Sequence, residues 1–176
     1  MNDLLKCMSA RRSVRTYADR DIADADLDAI LKAGRLGPSG KGIYPYDFIV
    51  IRDPETIQKL VGCRKGGAKM LTTAKAAIAV LGDENRSDTW IEDDAVAMTQ
   101  MHLMASYLGL GSCWLQIRLR PSDVEGKSAE DYARDVLGFP VNNRLEAILA
   151  LGPIDDAPEG HDPEALNDDV IHTEKW

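Results

Sequence analysis

Apolar and polar positions alternate along this chain in blocks that read by turns as helices and strands. Leu4, Leu5 and Met8 recur at helical spacing behind Asn2 or Asp3, either of which can cap a first turn. A second helix reads from about Asp24, with Leu27, Ile30 and Leu31 on one face. The segment GRLGPSGKGIYPY (34–46) then breaks all periodicity, with four glycines and two prolines in thirteen residues. The run DFIVI (47–51) predicts a short strand. DPETIQKLVGC (53–63) predicts a short helix with Asp53 as N-cap and Pro54 at its first position.

Downstream, AAIAVLG (76–82) is a second buried strand. From Ile91 to Leu108 no residue breaks a helix, and Ala95, Met98, Met101, His102, Ala105 and Leu108 make it apolar around most of its circumference. Such a helix is buried on more than one side, by its own domain or by a partner. SCWLQ (112–116) and LEAILALG (145–152) supply two further strands, with a helix near 129–137 between them. This alternation predicts a layered α/β domain, without fixing strand order or direction. There is no internal repeat.

Composition narrows the class. At 176 residues, 44% hydrophobic and 28% charged, the chain reads as one globular domain over 1–176. No stretch approaches a membrane span, and the N-terminus, with Asp3 and no long apolar core, does not read as a secretory signal. Cys7, Cys63 and Cys113 are odd in number and widely spaced, which points to free thiols in a reducing cytoplasm. The net charge of −8 is uneven: residues 153–176 hold eight acids against Lys175 alone, so this acidic C-terminal arm carries −7. The body is nearly neutral, which gives no support to a nucleic-acid-binding face.

Local cations in that body need a local explanation. In ARRSVRTY (10–17), Arg11, Arg12 and Arg15 flank Ser13. Two readings stand: cations at the negative end of a helix, or an anion site, since arginine forks and a serine hydroxyl suit a phosphate. Other chemistries find little footing. There is no GxGxxG after a strand and no GxxxxGK[ST]. In LGLGSCW, Gly109 and Gly111 read as the cap of the long helix and the turn after it. His102 reads as a satisfied core or interface histidine, and His161 and His172 lack ligand spacing, so a metal site is not expected. Ser39 has no nameable His–acid partners, and Lys69 by itself reads as a solvated loop residue.

In order along the chain, RRSVRTY, GPSGKGIYPYDFIVI, KMLTTAKAAIAVL, GLGSCW and LGFP…LEAILALG resemble the nitroreductase family of FMN-dependent oxidoreductases, particularly its short members. No single motif is specific; the ordered set is. The resemblance implies an α+β fold, three-layer α/β/α around a mainly antiparallel sheet. It also implies a homodimer with FMN sites at the interface, the C-terminal arm wrapping the partner. Arg11, Arg12, Ser13 and Arg15 match the stretch that holds phosphate, ribityl chain and ring edge. Pro38, Ser39 and Gly40 match a loop that reaches the flavin of the partner. Lys69 matches a lysine near the pyrimidine edge, and Leu115 and Gln116 the backbone passing the reactive ring nitrogen. Fixed cations at that edge would stabilise negative charge as it develops.

The implied activity is ping-pong hydride transfer from NADH or NADPH to a small electron acceptor, a nitroaromatic or quinone, in the cytoplasm. No catalytic side chain is required, because the cofactor does the redox step and solvent can supply protons. The alternatives are a specialised flavin enzyme of the same fold, such as a dehalogenase or dehydrogenase, and a flavin-binding or storage module without turnover. Three departures from the family pattern bear on specificity. Gly42 replaces the usual Asn, Tyr44 the usual Gln, and the acidic arm offers only His161 where many relatives have a Lys or Arg completing the phosphate site.

Overall fold

The computed structural model describes residues 2–176. Helix α1 (Asp3–Ala10) is capped by the Asn2 side chain, which accepts from Leu5 N–H. Helix α2 (Asp24–Arg35) buries Leu27 and Ile30, as its apolar spacing predicts. Strand β1 (Tyr46–Ile51) leads to α3 (Pro54–Lys59), where Asp53 caps Thr56 N–H and Pro54 takes the first turn. Strand β2 (Ala76–Asp83), helix α4 (Trp90–Tyr107), strand β3 (Leu110–Gln116), helix α5 (Ala129–Leu137) and strand β4 (Asn143–Pro153) follow.

The four strands form one sheet in the order β1-β2-β4-β3, every neighbour antiparallel. The sheet's two faces are covered separately. Ile78, Val80, Leu149 and Leu151 pack with Leu27, Ile30, Met98 and Met101 of α2 and α4. Ala79, Leu81, Ile148 and Ala150 pack on the other side with Ile57 and Ala133 of α3 and α5. Three layers result. Strands β2 and β4 are buried nearly end to end, so both faces must be apolar, and that is why they read as continuous apolar runs. Each fully buried Leu or Ile here contributes about 1.5–3 kcal/mol over an exposed one.

Two boundaries differ from those expected. Gly109, with φ +74°, makes the turn after α4, but Gly111 lies inside β3, where a Cβ would come within 2.5 Å of Ile154. It is a close-packing glycine, not a cap. Pro153 still belongs to β4 and is buried, so the arm begins one residue later than its charge pattern suggests. The arm is exposed. Its His161 N–H donates to Ser9 O at 2.8 Å, laying it on α1, while Leu166, Val170, Ile171 and Trp176 stand 63–101% exposed. No helix among the described residues is long and apolar enough to cross a membrane.

Candidate functional site

The N-terminal segment leaves α1 at Arg11, its C-cap, and runs along the outer edge of β3. Val14 N–H donates to Ser112 O at 2.9 Å, in a parallel bridge that pairs Ser13 with Ser112. Ser112 therefore turns its backbone groups away from β4, and by the alternation of an antiparallel ladder Trp114 and Gln116 do the same. Past Ser112, no backbone group among the described residues covers that edge. Between the two residues matched to the ring contact, the outward-facing backbone is that of Gln116; Leu115 faces β4.

Cations gather beside this open edge. The guanidinium of Arg11 meets Nε2 of His102 at 3.0 Å, Arg12 donates to the Glu159 carbonyl, and Arg15 reaches only the Ser13 carbonyl at 3.4 Å. Among the described residues none of the three has a carboxylate within 4.0 Å, although acids outnumber bases 29 to 21. The Cys113 thiol feels two of these arginines, together with Arg64. Burial pushes its pKa up, and Arg15, Arg64, Arg11 and the Ser13 hydroxyl act against that shift. The sequence hints at Arg64 only through its place in the chain just before Lys65 and Lys69. Lys69 opens a short 3-10 turn (Lys69–Thr72) on the α3 side and is exposed. Macrodipole pairing does not explain Arg11, whose side chain turns onto α4.

His102 is buried, as a core histidine should be, but it is more than that. Its Nδ1 lies 2.5 Å from Ser112 Oγ while Nε2 faces Arg11. Burial, and secondarily Arg11, pulls its pKa down to about 4, so the ring is neutral at neutral pH.

Pro38, Ser39 and Gly40 sit elsewhere. Asp93, buried in the first turn of α4, accepts from Gly40 N–H at 2.8 Å and from the Ser39 hydroxyl at 3.1 Å. Ser39 Oγ in turn accepts from Tyr44 N–H at 2.9 Å, and Arg86 donates to both the Ile43 and Tyr44 carbonyls. These contacts hold Lys41 and Tyr44 at φ +56° and +50°, a conformation that costs L-residues energy and that clusters at functional sites. Nine residues of α4 separate Asp93 from His102, roughly 14 Å at 1.5 Å per residue. Within one chain the loop and the arginines thus occupy separate places. Neither Asp93 nor Arg86 stands in a motif, so the sequence gives no sign of these roles.

A third cluster lies behind Gln116. A bulge in β4 leaves Glu146 unpaired between Leu145 and Ala147, and its carbonyl accepts from both Ile117 and Arg118 N–H. Gln116 Nε2 donates to Glu146 Oε1 at 2.9 Å, and Trp114 Nε1 donates to Gln116 Oε1 at 2.8 Å. Nearby Asp94 is fully buried with neither oxygen hydrogen-bonded. Burial first, then Glu146, Asp93 and Asp47, raises its pKa to about 8. Gly82 makes this packing possible, for a Cβ there would sit 2.7 Å from Trp90 and 2.8 Å from Asp94 Oδ2.

A cavity of about 620 Å³ opens between the starts of α4 and α5, lined by Trp90, Arg118, Arg120, Arg134, Arg144 and Val141 among others. None of the residues expected to bind cofactor lines it. The arginine site is an open surface in the single chain, with a donor set of cations, a hydroxyl and outward N–H groups. That set fits a phosphate joined to a planar ring with hydrogen-bonding edges.

The fold is the nitroreductase fold: an FMN-dependent nitroreductase from Clostridium difficile R20291 superposes with a TM-score of 0.93 at 36% identity, covering 98% of this chain and 99% of that one. The description "Nitroreductase family" matches residues 8–62, which include the arginine segment and the 38–40 loop. A protein of Archaeoglobus fulgidus, provisionally named NADH dehydrogenase/NAD(P)H nitroreductase, is 37% identical across the full length of both chains. The chain belongs to the nitroreductase family. The FMN complex of a provisionally named nitroreductase from Desulfovibrio desulfuricans matches with a TM-score of 0.78 at 26% identity, covering 100% of this chain and 99% of that one.

Proposed function

We propose that the protein is a homodimeric, cytoplasmic FMN-dependent oxidoreductase that takes hydride from NADH or NADPH. It passes the electrons in ping-pong order to a nitroaromatic, quinone or similar acceptor. The observation that carries this reading is the set of arginines without carboxylate partners beside the uncovered edge of β3. Bound FMN supplies the two-electron chemistry. Arg11, Arg12 and Ser13 hold its phosphate, while Arg15 and Lys69 face the ring edge where negative charge grows. The outward N–H of Gln116 lies alongside the reactive ring nitrogen.

What one chain leaves undone supports a dimer. The 38–44 loop is built rigidly yet lies far along α4 from the arginines, so it serves the site of a second copy. The exposed Leu166, Val170, Ile171 and Trp176 of the arm find cover on that copy. An apolar groove between α1, α2 and α4, lined by Leu4, Cys7, Leu103, Met104 and Tyr107, belongs to the same interface. No side chain need act as acid or base. The test is anaerobic reduction of the purified yellow protein by each nicotinamide, followed by a panel of acceptors. Colourless protein that takes up no FMN overturns the reading; FMN that neither nucleotide bleaches leaves a storage module.

A further inference from the structure

His102 stands in none of the motifs that carry the family resemblance, yet it joins the two segments of the arginine site. From α4 it touches Arg11 through Nε2 and Ser112 through Nδ1, and Ser112 through its carbonyl receives Val14 N–H. The circuit Arg11–His102–Ser112–Val14 thereby spans the segment that contains Arg12 and Ser13. Its proton arrangement follows from chemistry. A guanidinium has only donors, so Nε2 must carry a lone pair toward Arg11. In the neutral ring the proton then sits on Nδ1 and is donated to Ser112 Oγ. His102 and Ser112 are 7% and 1% exposed, so water does not compete for these bonds.

We propose that His102 is the positioning residue of the phosphate site, fixing the Arg11 guanidinium with a neutral acceptor so that its whole positive charge is left for an incoming dianion. A carboxylate in the same place would hold Arg11 equally well but cancel the charge that attracts the phosphate. A neutral imidazole orients without neutralising. This rests on the FMN reading above and adds to it a residue that never touches the ligand.

The experiment compares two probes, FMN and riboflavin, which share the ring and ribityl chain and differ by the phosphate. Apoprotein is titrated with each, and the ratio of the two affinities is read for the wild type, His102→Leu and His102→Gln. His102→Leu should weaken FMN binding by about tenfold, the effect of one hydrogen bond to a charged group, and leave riboflavin binding unchanged. His102→Gln, which can still accept from Arg11 and donate to Ser112, should recover most of the ratio. In an Arg11→Met background, His102→Leu should cost nothing more. A His102→Leu protein with the wild-type ratio overturns the proposal, as does an equal loss of both flavins, which would mark His102 as structural only. Should His102→Leu not fold, Ser112→Ala frees the same ring, and an unchanged ratio there overturns the proposal equally. Failure of the wild type to bind either flavin would instead remove the FMN reading itself.

Discussion

The carboxylate of Asp93 receives the backbone N–H of Gly40 at 2.8 Å, tying the first turn of the longest helix to a loop more than fifty residues earlier. The hydroxyls of Ser39 and Thr89 complete its ligation at 3.1 and 3.3 Å. One buried acid thus anchors a loop whose backbone is strained at Lys41 and Tyr44.

Replacing that acid should loosen the loop selectively. Asp93→Ala leaves three donors without their acceptor, a cost of about 1–3 kcal/mol for each one left buried and unsatisfied. Thermal denaturation should show a lower Tm, and amide exchange should accelerate at Gly40 and Tyr44 before it does so in β2. Uniform acceleration across the chain would contradict this.

Two buried groups set a pH profile for stability. Asp94, raised to about 8, holds a proton in the folded state that an unfolded aspartate has lost above about 4. Its contribution is therefore present at low pH and lost as pH rises toward 8. His102, lowered to about 4, does the reverse, and its contribution is lost as pH falls from about 6.5 toward 4. Between about 4 and 6.5 the two slopes cancel. From about 6.5 to 8 only Asp94 remains, and stability should fall by up to about 1.4 kcal/mol per pH unit. Asp94→Asn should flatten that decline in urea melts taken at successive pH values.

Charge at the ring edge should act on reduction more than on binding. Lys69→Met keeps most of the apolar stem and removes the ammonium. Stopped-flow reduction should slow about tenfold for each ~1.4 kcal/mol of lost stabilisation, and the midpoint potential of the bound flavin should fall. FMN occupancy should hold. Wild-type rate and potential in the variant would return Lys69 to the solvated loop residue it resembles in isolation.

The arm should be needed for assembly and not for folding. Truncation after Asp156 leaves β4 and both core clusters intact while removing Leu166, Val170, Ile171 and Trp176. Sedimentation should show a folded chain with weakened self-association and weakened flavin retention. A dimer with intact flavin would contradict the wrapping arm.

The layered fold was legible because burial imposes period. Leu27 and Ile30 repeat at helical spacing because one face of α2 meets the sheet, and 76–82 is wholly apolar because β2 is covered on both sides. Caps were legible at Asp53 because its side chain bonds locally. Long-range polar pairing was not. His102 and Asp93 bond residues 91 and 53 positions away, and nothing in their neighbourhoods marks the partner. The Glu146 bulge hides within an apolar run, since one inserted residue leaves composition unchanged. Gly111 reads as a turn because a glycine after a helix signals one, while the demand on this one comes from Ile154 and Val14 packing against it.

The uncovered side of β3 has a cost as well as a use. A row of unpaired amides at a sheet margin is a template for any other extended chain, and proteins commonly guard such margins with charge. Here the guanidinium groups of Arg15 and Arg64 lie near enough to Cys113 on that strand to act on its thiol, so the charge beside this margin also repels the approach of a second positively flanked edge. Stripping that charge away would leave the margin open to strand-by-strand aggregation, a penalty separate from any effect at the proposed flavin site.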